Sequence, residues 1–266
     1  MTVHFIGAGP GDPELLTLKA QRLIASCPVC LYAGSLVPEA VVAGAPEGAL
    51  VRDTAPLTLE ETHALIVEAH AKGQDVARVH SGDPSLYGAI AEQIRLLRRD
   101  GIPFDITPGV PAYAAAAAAL GQELTVPQVA QSIVLTRMSM QSTAMPAGET
   151  LENFAATGAT LAIHLGVRAL RDIVRRLSPF YGDDCPVVVA IRVGWPDQMI
   201  LRGRLSDIHA KVREAKVTRT ALILVGPALG ESQEFPDSAL YDPARPHVLR
   251  PKARVADQDA PDIARP

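Results

Sequence analysis

Short apolar runs at residues 3–6, 29–32, 76–80 and 104–107 alternate with longer amphipathic stretches at 13–25, 58–72 and 84–100, the last stopped by Gly101. Continuous apolar runs of this length suit strands covered on both faces, and their alternation with helices predicts a mainly parallel α/β sheet. A Thr-Pro-Gly-Val-Pro segment at 107–111 then leads into an alanine-rich run, 112–120. That run predicts a helix whose small side chains allow close approach to a sheet or a ligand.

From about residue 125 the pattern changes. Apolar runs at 132–137, 160–165, 187–192 and 221–225 predict a second set of buried strands, with 199–205 as an antiparallel addition and helices at 167–177 and 207–216, the latter capped by Ser206. The expected organisation is one α/β domain over 1–120 and another over 121–230, both with mainly parallel sheets. Residues 231–266 are rich in Pro, Asp and Arg without periodicity, which predicts an extended or disordered tail.

Two loops carry the strongest local signal. Gly7-Ala8-Gly9-Pro10-Gly11-Asp12-Pro13 and Ser81-Gly82-Asp83-Pro84-Ser85-Leu86-Tyr87-Gly88 each follow an apolar run and precede a helical one. Asp12 and Asp83 are expected as N-caps, with Pro13 and Pro84 at the first helical position, where a missing N–H costs nothing. With the 107–111 loop they should share the carboxyl edge of the sheet, where open α/β proteins bind ligands. A dinucleotide fingerprint is a poor match. The position for its third glycine holds Asp12, Pro10 removes a backbone donor, and a carboxylate at the helix start repels pyrophosphate.

A chain of 266 residues, 48% hydrophobic and 20% charged, has room for two modest domains with real cores. The formal net charge of −4 does not favour attachment to nucleic acid or to an anionic membrane. The start shows no basic segment followed by an apolar one, and no run reaches the length of a membrane span, so the expected location is cytoplasmic. Cys27 and Cys30 have C-x-x-C spacing but run into an apolar strand with no second ligand pair; buried thiols are expected, and no metal site.

Gly7 to Thr17, then Arg78-Val79-His80-Ser81-Gly82-Asp83-Pro84, then Pro108-Gly109-Val110 resemble, in order and spacing, the signature motifs of the tetrapyrrole methylases of cobalamin and sirohaem synthesis. Residues 31–38, 135–139, 195–198 and 218–226 extend the likeness through Gly230. First-step members typically carry an Asp directly after the tyrosine matching Tyr32. Here Ala33-Gly34-Ser35 follows, which points to a later methylation. The resemblance implies two α/β domains, S-adenosylmethionine in the cleft between them, a precorrin-type tetrapyrrole as substrate, and a homodimer. Carried over position by position, it implies cofactor contacts at Pro10, backbone groups of Ser81, Gly82 and Asp83, then Leu86, Ala112, Leu165, Val193, Thr220 and Ala221. The family often has Tyr-Met where this chain has His164-Leu165, so apolar lining is kept but a thioether is lost.

Methyl transfer from a sulfonium is an in-line displacement that needs alignment more than acid or base, and no catalytic residue is assigned. The chain offers no Ser-His-Asp order, paired metal ligands or Walker loop. A tetrapyrrole presents many carboxylates, which guanidinium forks bind bidentately. Arg52, Arg137, Arg192 and Arg219, with Tyr32, are the candidate substrate contacts, and Arg137 is foremost because it terminates an apolar strand. His80 and His164 are expected in buried, hydrogen-bonded roles. A relative acting on ribosomal RNA or a protein, and a carrier that binds pigment without turnover, remain open alternatives.

Overall fold

The computed structural model describes residues 1–139, 143–230, 235–240, 242 and 245. The tail expected at 231–266 lies largely outside these described residues. The chain builds two five-stranded sheets. In the first, β1 (Val3–Gly7), β2 (Val29–Tyr32), β3 (Leu50–Asp53), β4 (Val76–His80) and β5 (Phe104–Thr107) lie in the order β3-β2-β4-β1-β5, all parallel. The neighbours β4, β1 and β5 therefore bring the three loops that follow them side by side.

Alternate strand residues serve opposite faces, as a sheet buried on both sides requires. Ile6, Cys30, Tyr32 and Val79 pack with Ala20 and Ile24 of α1 (Leu18–Ser26) and Val41 and Val42 of α2 (Glu39–Val42). Phe5, Leu31 and Val76 pack with Ile66 and Ala69 of α3 (Leu59–Ala71) and Leu97 of α4 (Ile90–Arg99). Thr58 and Glu61 form a reciprocal capping box that starts α3 where the polar-to-apolar pattern predicts it. Cys27 and Cys30 are buried, and burial pushes their thiols up to about 11 and about 12.

Strand β3 escapes the hydrophobic pattern because it is a short edge strand whose Leu50 and Val51 are exposed. The helix expected from Pro84 starts later, at Ile90. Asp83 caps no helix. Its Oδ1 accepts from the Ser85 N–H at 2.8 Å, its Oδ2 accepts from the Gly109 N–H at 3.0 Å, and turns fill the chain up to α4. Asp12 does cap a short 3-10 turn, Pro13–Leu15, accepting from the Glu14 N–H at 2.9 Å; Thr17 then caps α1.

The second sheet contains β6 (Ile133–Arg137), β7 (Thr160–His164), β8 (Pro186–Ile191), β9 (Met199–Arg204) and β10 (Ala221–Val225), ordered β6-β7-β10-β8-β9. Only β6 and β7 are parallel; the β7–β10, β10–β8 and β8–β9 pairs are antiparallel. The mainly parallel expectation thus holds for the first sheet and is corrected for the second. A strand covered on both faces is apolar throughout in either direction, so its pattern carries no orientation. One face packs on α6 (Leu151–Ala155), α7 (Leu170–Tyr181) and α8 (Ile208–Glu214). The start of α8 also shifts by one residue, with Asp207 rather than Ser206 at the cap.

The other face of this second sheet is covered by α5 (Ala112–Leu120), the alanine-rich helix that follows β5. Ala116 and Leu120 share a core with Ala162, Val188, Ala190, Leu222 and Leu224. Small side chains thus let a helix that emerges from the first sheet's ligand edge lie on the second sheet. Among the described residues no helix is long and apolar enough to cross a membrane, and no cluster of three or more His, Cys, Asp or Glu is placed to hold a metal ion.

Candidate active site

The carboxyl edge of the first sheet is welded by backbone. Gly9 and Gly82 exchange hydrogen bonds, Gly9 N–H to Gly82 O at 3.2 Å and Gly82 N–H to Gly9 O at 2.7 Å. A Cβ built on Gly7 would stand 2.8 Å from the Gly82 oxygen, and one on Gly109 would stand 2.7 Å from the Gly7 carbonyl carbon. These glycines are required by close approach of the three loops to one another. Gly82 is different: a Cβ there would make only ordinary contacts, the nearest with Pro111 Cα at 3.8 Å, but φ is +62°. Its requirement is conformational.

Asp83 ties the second loop to the third. Burial raises its carboxyl, but hydrogen bonds from Ser85 and from the Gly109 amide outweigh that and leave it below the ordinary range. Behind the loop, Arg78 is buried in β4; its Nε donates to Gln93 Oε1 at 2.9 Å and its Nη1 to the Leu31 oxygen at 3.3 Å. Burial brings this guanidinium down to about 10, still charged at neutral pH. His80 is neutral there, pushed down to about 3 by burial and by Arg78.

The second sheet answers with an edge of a different kind. Register places Arg137 beside His164, and Ala221 opposite Ile191; the Arg192 N–H donates to the Thr220 oxygen at 3.0 Å. Leu165, Arg192 and Thr220, all on this edge, have φ of 55°, 47° and 52°. A left-handed L-residue costs on the order of 1–2 kcal/mol, and such residues persist where the surroundings over-determine them, typically at ligand sites. Leu165 is also 61% exposed, an apolar side chain presented at the edge.

The two edges face and touch. Tyr87, in the loop after β4, lies with its ring centroid 5.0 Å from that of His164. Burial holds His164 down to about 4, so it too is neutral. Trp195, in the turn after β8, donates its Nε1–H to the Pro10 oxygen at 3.1 Å. Ala112 and Val193 pack on one cluster between α5 and the second sheet. The positions expected to meet a cofactor are therefore gathered on two facing edges: Pro10, Ser81, Gly82, Asp83 and Leu86 on the first, Leu165, Val193, Thr220 and Ala221 on the second, with Ala112 joining them.

The expected substrate contacts divide. Arg137, Arg192 and Arg219 lie along the second edge, whereas Tyr32 and Arg52 lie on the far flank of the first sheet. Tyr32 is 8% exposed, with its hydroxyl raised by burial first and by Glu39 and Asp53 next. Arg137 Nη2 donates to the Thr143 oxygen at 2.8 Å. Arg192 Nη1 is 3.0 Å from Asp197 Oδ2, and its guanidinium carbon lies 4.3 Å from the Trp195 ring centroid. Sequence reasoning missed Trp195 and Tyr87 as contacts between the edges. The available signal was the chain's single tryptophan in a tight Gly194-Trp195-Pro196 turn.

The strand-end loops of the two α/β layers meet through Trp195 and Pro10 and through Tyr87 and His164, while the His–Asp pairs of the described residues, His4–Asp105 and His63–Asp100, belong to the body of the first layer. The family model of the tetrapyrrole (corrin/porphyrin) methylases matches residues 2–209, and the chain belongs to that family. It is 56% identical over 244 residues to a precorrin-4 C(11)-methyltransferase of Sinorhizobium sp., covering 92% of this chain and 96% of that one. With the protein of that name from Pseudomonas aeruginosa it shares 58% over 251 residues, 94% and 99% of the two chains. A solved cobalt precorrin-4 methyltransferase superposes with a TM-score of 0.83 at 39% identity, covering 86% of this chain and 96% of that one. Uroporphyrin-III C-methyltransferase from Thermus thermophilus, complexed with S-adenosyl homocysteine, superposes at 0.70 with 31% identity, covering 86% and 99%.

Proposed function

We propose that this chain transfers a methyl group from S-adenosylmethionine to C11 of precorrin-4, giving precorrin-5 in cobalamin biosynthesis. The observation that carries this reading is the meeting of the two strand-end edges around the positions the resemblance implies for the cofactor, in a chain more than half identical to relatives of that name. The edges suit the cofactor chemically. Asp12 occupies the helix start where a phosphate would otherwise bind, which disfavours a pyrophosphate and tolerates a sulfonium. Leu86, Ala112, Leu165 and Val193 offer apolar lining, and Pro10, Ser81, Gly82, Asp83, Thr220 and Ala221 complete the holding set.

S-adenosylmethionine supplies the electrophilic methyl when bound. The protein's part is to hold donor and acceptor in line and to exclude water. Both histidines near the edges are neutral, His80 buried and His164 half-buried, each with an Nε2 that finds no hydrogen-bond partner, so neither offers an ionic charge to the reaction at neutral pH. Arg137 and Arg219, with Arg52 and Tyr32 further along, would meet the substrate's carboxylates. The reading includes two units, 1–120 and 121–230, with α5 lying across their junction, a homodimer, and a cytoplasmic location. Its decisive test is incubation with methyl-labelled S-adenosylmethionine and each precorrin in turn. Label appearing at C11 of precorrin-4 is expected. Transfer to another carbon, to RNA or protein, or to nothing would overturn it.

A further inference from the structure

The turn after β8 is organised around one indole. Trp195 Nε1–H donates to the Pro10 oxygen at 3.1 Å, and the ring lies against Gly11, where a Cβ would stand 3.2 Å from Cε2. Gly194 approaches the same loop: a Cβ there would stand 3.1 Å from Pro10 Cγ and 3.1 Å from the Asp12 nitrogen. Side chains at Gly11 or Gly194 would therefore hold the two loops apart. The ring is covered by the Arg192 guanidinium at 4.3 Å, Arg192 is paired with Asp197 at 3.0 Å, and the Gly194 N–H donates to Gln198 Oε1 at 3.0 Å.

Arg192 adopts this place against two unfavourable features. Its φ is 47°, and its Nε is buried without a hydrogen-bond partner. A strained backbone and a buried Nε–H without a partner persist only where the surrounding contacts offset them. Those contacts are the indole face and Asp197. A guanidinium held over an indole with its Nη1 on a carboxylate is poorly placed to grip a second carboxylate as a fork.

We propose that Trp195 is a positioning residue for methyl transfer and that Arg192 acts through it, pressing the indole onto the Pro10 loop and so setting the separation of the two edges that hold the methyl donor. Arg192 is then no carboxylate fork for the substrate. The inference rests on the S-adenosylmethionine site proposed above. In-line displacement is sensitive to small errors of alignment, so a clasp between the edges acts on the chemical step as well as on cofactor binding.

The single tryptophan makes the clasp directly observable. Indole emission would be measured on the native chain, Arg192→Lys and Arg192→Ala, and calorimetric titration with S-adenosylhomocysteine, without tetrapyrrole, on these and on Trp195→Phe and the Arg192→Ala/Trp195→Phe pair. Thermal melts confirm folding, and Arg192→Lys, which keeps the charge but loses the planar face, serves if Arg192→Ala does not fold. Arg192→Ala should shift the emission of the free protein. Affinity should fall about tenfold in each of Arg192→Ala and Trp195→Phe, and no further in the pair, because residues acting through one contact are not additive. In turnover kcat should fall more than the KM for precorrin-4 rises. Unchanged affinity for S-adenosylhomocysteine with a raised precorrin-4 KM in Arg192→Ala would overturn the proposal and restore the fork. Fully additive losses in the pair would also overturn it. Failure of the native chain to bind S-adenosylhomocysteine at all would instead bring down the cofactor assignment on which it rests.

Discussion

The two edges that meet through Trp195 and Tyr87 solve the same problem by opposite means. On the first sheet, parallel strands β4, β1 and β5 deliver three loops so close together that Gly7 and Gly109 have no room for a side chain, and backbone exchanges hydrogen bonds with backbone. On the second, mixed strands deliver Leu165, Arg192 and Thr220 in left-handed conformations that glycine would adopt without cost, yet each keeps a side chain. The core of the first edge needs the absence of a Cβ, with left-handed side chains only further out at Tyr87 and Ala89 (φ 57° and 48°), whereas the second carries them at the strand ends themselves. The difference teaches that the first edge is a platform of backbone packed on backbone, while the second presents side chains at its strand ends.

The strongest way to break that contrast is Gly109→Ala. The new Cβ meets the Gly7 carbonyl carbon at 2.7 Å and the Gly82 oxygen closer still, both backbone, so the loops must part. The expected loss is about 3 kcal/mol of stability, at the upper end of overpacking effects, with S-adenosylhomocysteine binding abolished. Thermal melting and calorimetry measure both, and a variant that melts and binds like the native chain would remove the platform.

Leu165→Gly sharpens the contrast from the other side. Relief of about 1–2 kcal/mol of left-handed strain is partly offset by about 0.5–1 kcal/mol of backbone entropy, and the exposed side chain gives up little burial. Stability should therefore change by no more than about 1 kcal/mol, while affinity for S-adenosylhomocysteine falls severalfold. Denaturant unfolding with a parallel titration tests this. Unchanged affinity would mean that the strained edge serves the fold alone.

The smallest effect is expected away from both edges. On the outer face of the second sheet, Arg176 Nε and Nη2 donate to the two Glu152 oxygens at 2.6 and 2.7 Å. That hydrogen bonding is the chief cause holding the Glu152 carboxyl down to about 2, against an ordinary 4.5. Because the folded value lies below the unfolded one, the stabilisation is whole above about pH 4.5 and is lost as pH falls toward 2. The pair is partly exposed, so screening limits it to at most about 1 kcal/mol. Glu152→Gln should lower the melting temperature slightly at neutral pH, reduce its dependence on pH between 4.5 and 2, and leave ligand affinity alone. A large change in affinity would mean that the two faces of the second sheet are coupled.

Much of this architecture is legible from local signals. Strands β2, β4 and β10 and helix α5 fall where the apolar runs place them, because a strand buried on both faces announces itself by continuous hydrophobicity; β5, a half-exposed edge strand, is marked instead by its Phe104 and Ile106 ahead of the 107–111 loop. The capping box of α3 and the Asp12 cap likewise depend on residues within three positions of each other. The glycine loops could be located because a sharp turn after a strand is a local demand. Strand β3, four residues with none buried, and the delayed start of α4 could not, since a strand without buried positions and a run of turns leave no periodic mark.

By itself, then, the sequence determined the alternation of elements, the loops that end the first sheet and the motif order that places the chain in its family. Only the tertiary structure decided three things: that the second sheet runs mostly antiparallel, that α5 covers it rather than closing the first sheet, and that Arg192 is engaged by Trp195 and Asp197 instead of standing free at a strand end. The physical reason is common to all three. Strand direction, the choice of a packing partner, and the company a charged side chain keeps depend on residues far apart in the chain. Trp195 and Pro10 are separated by 185 positions, and hydrophobic periodicity carries no information about which distant surface will meet which.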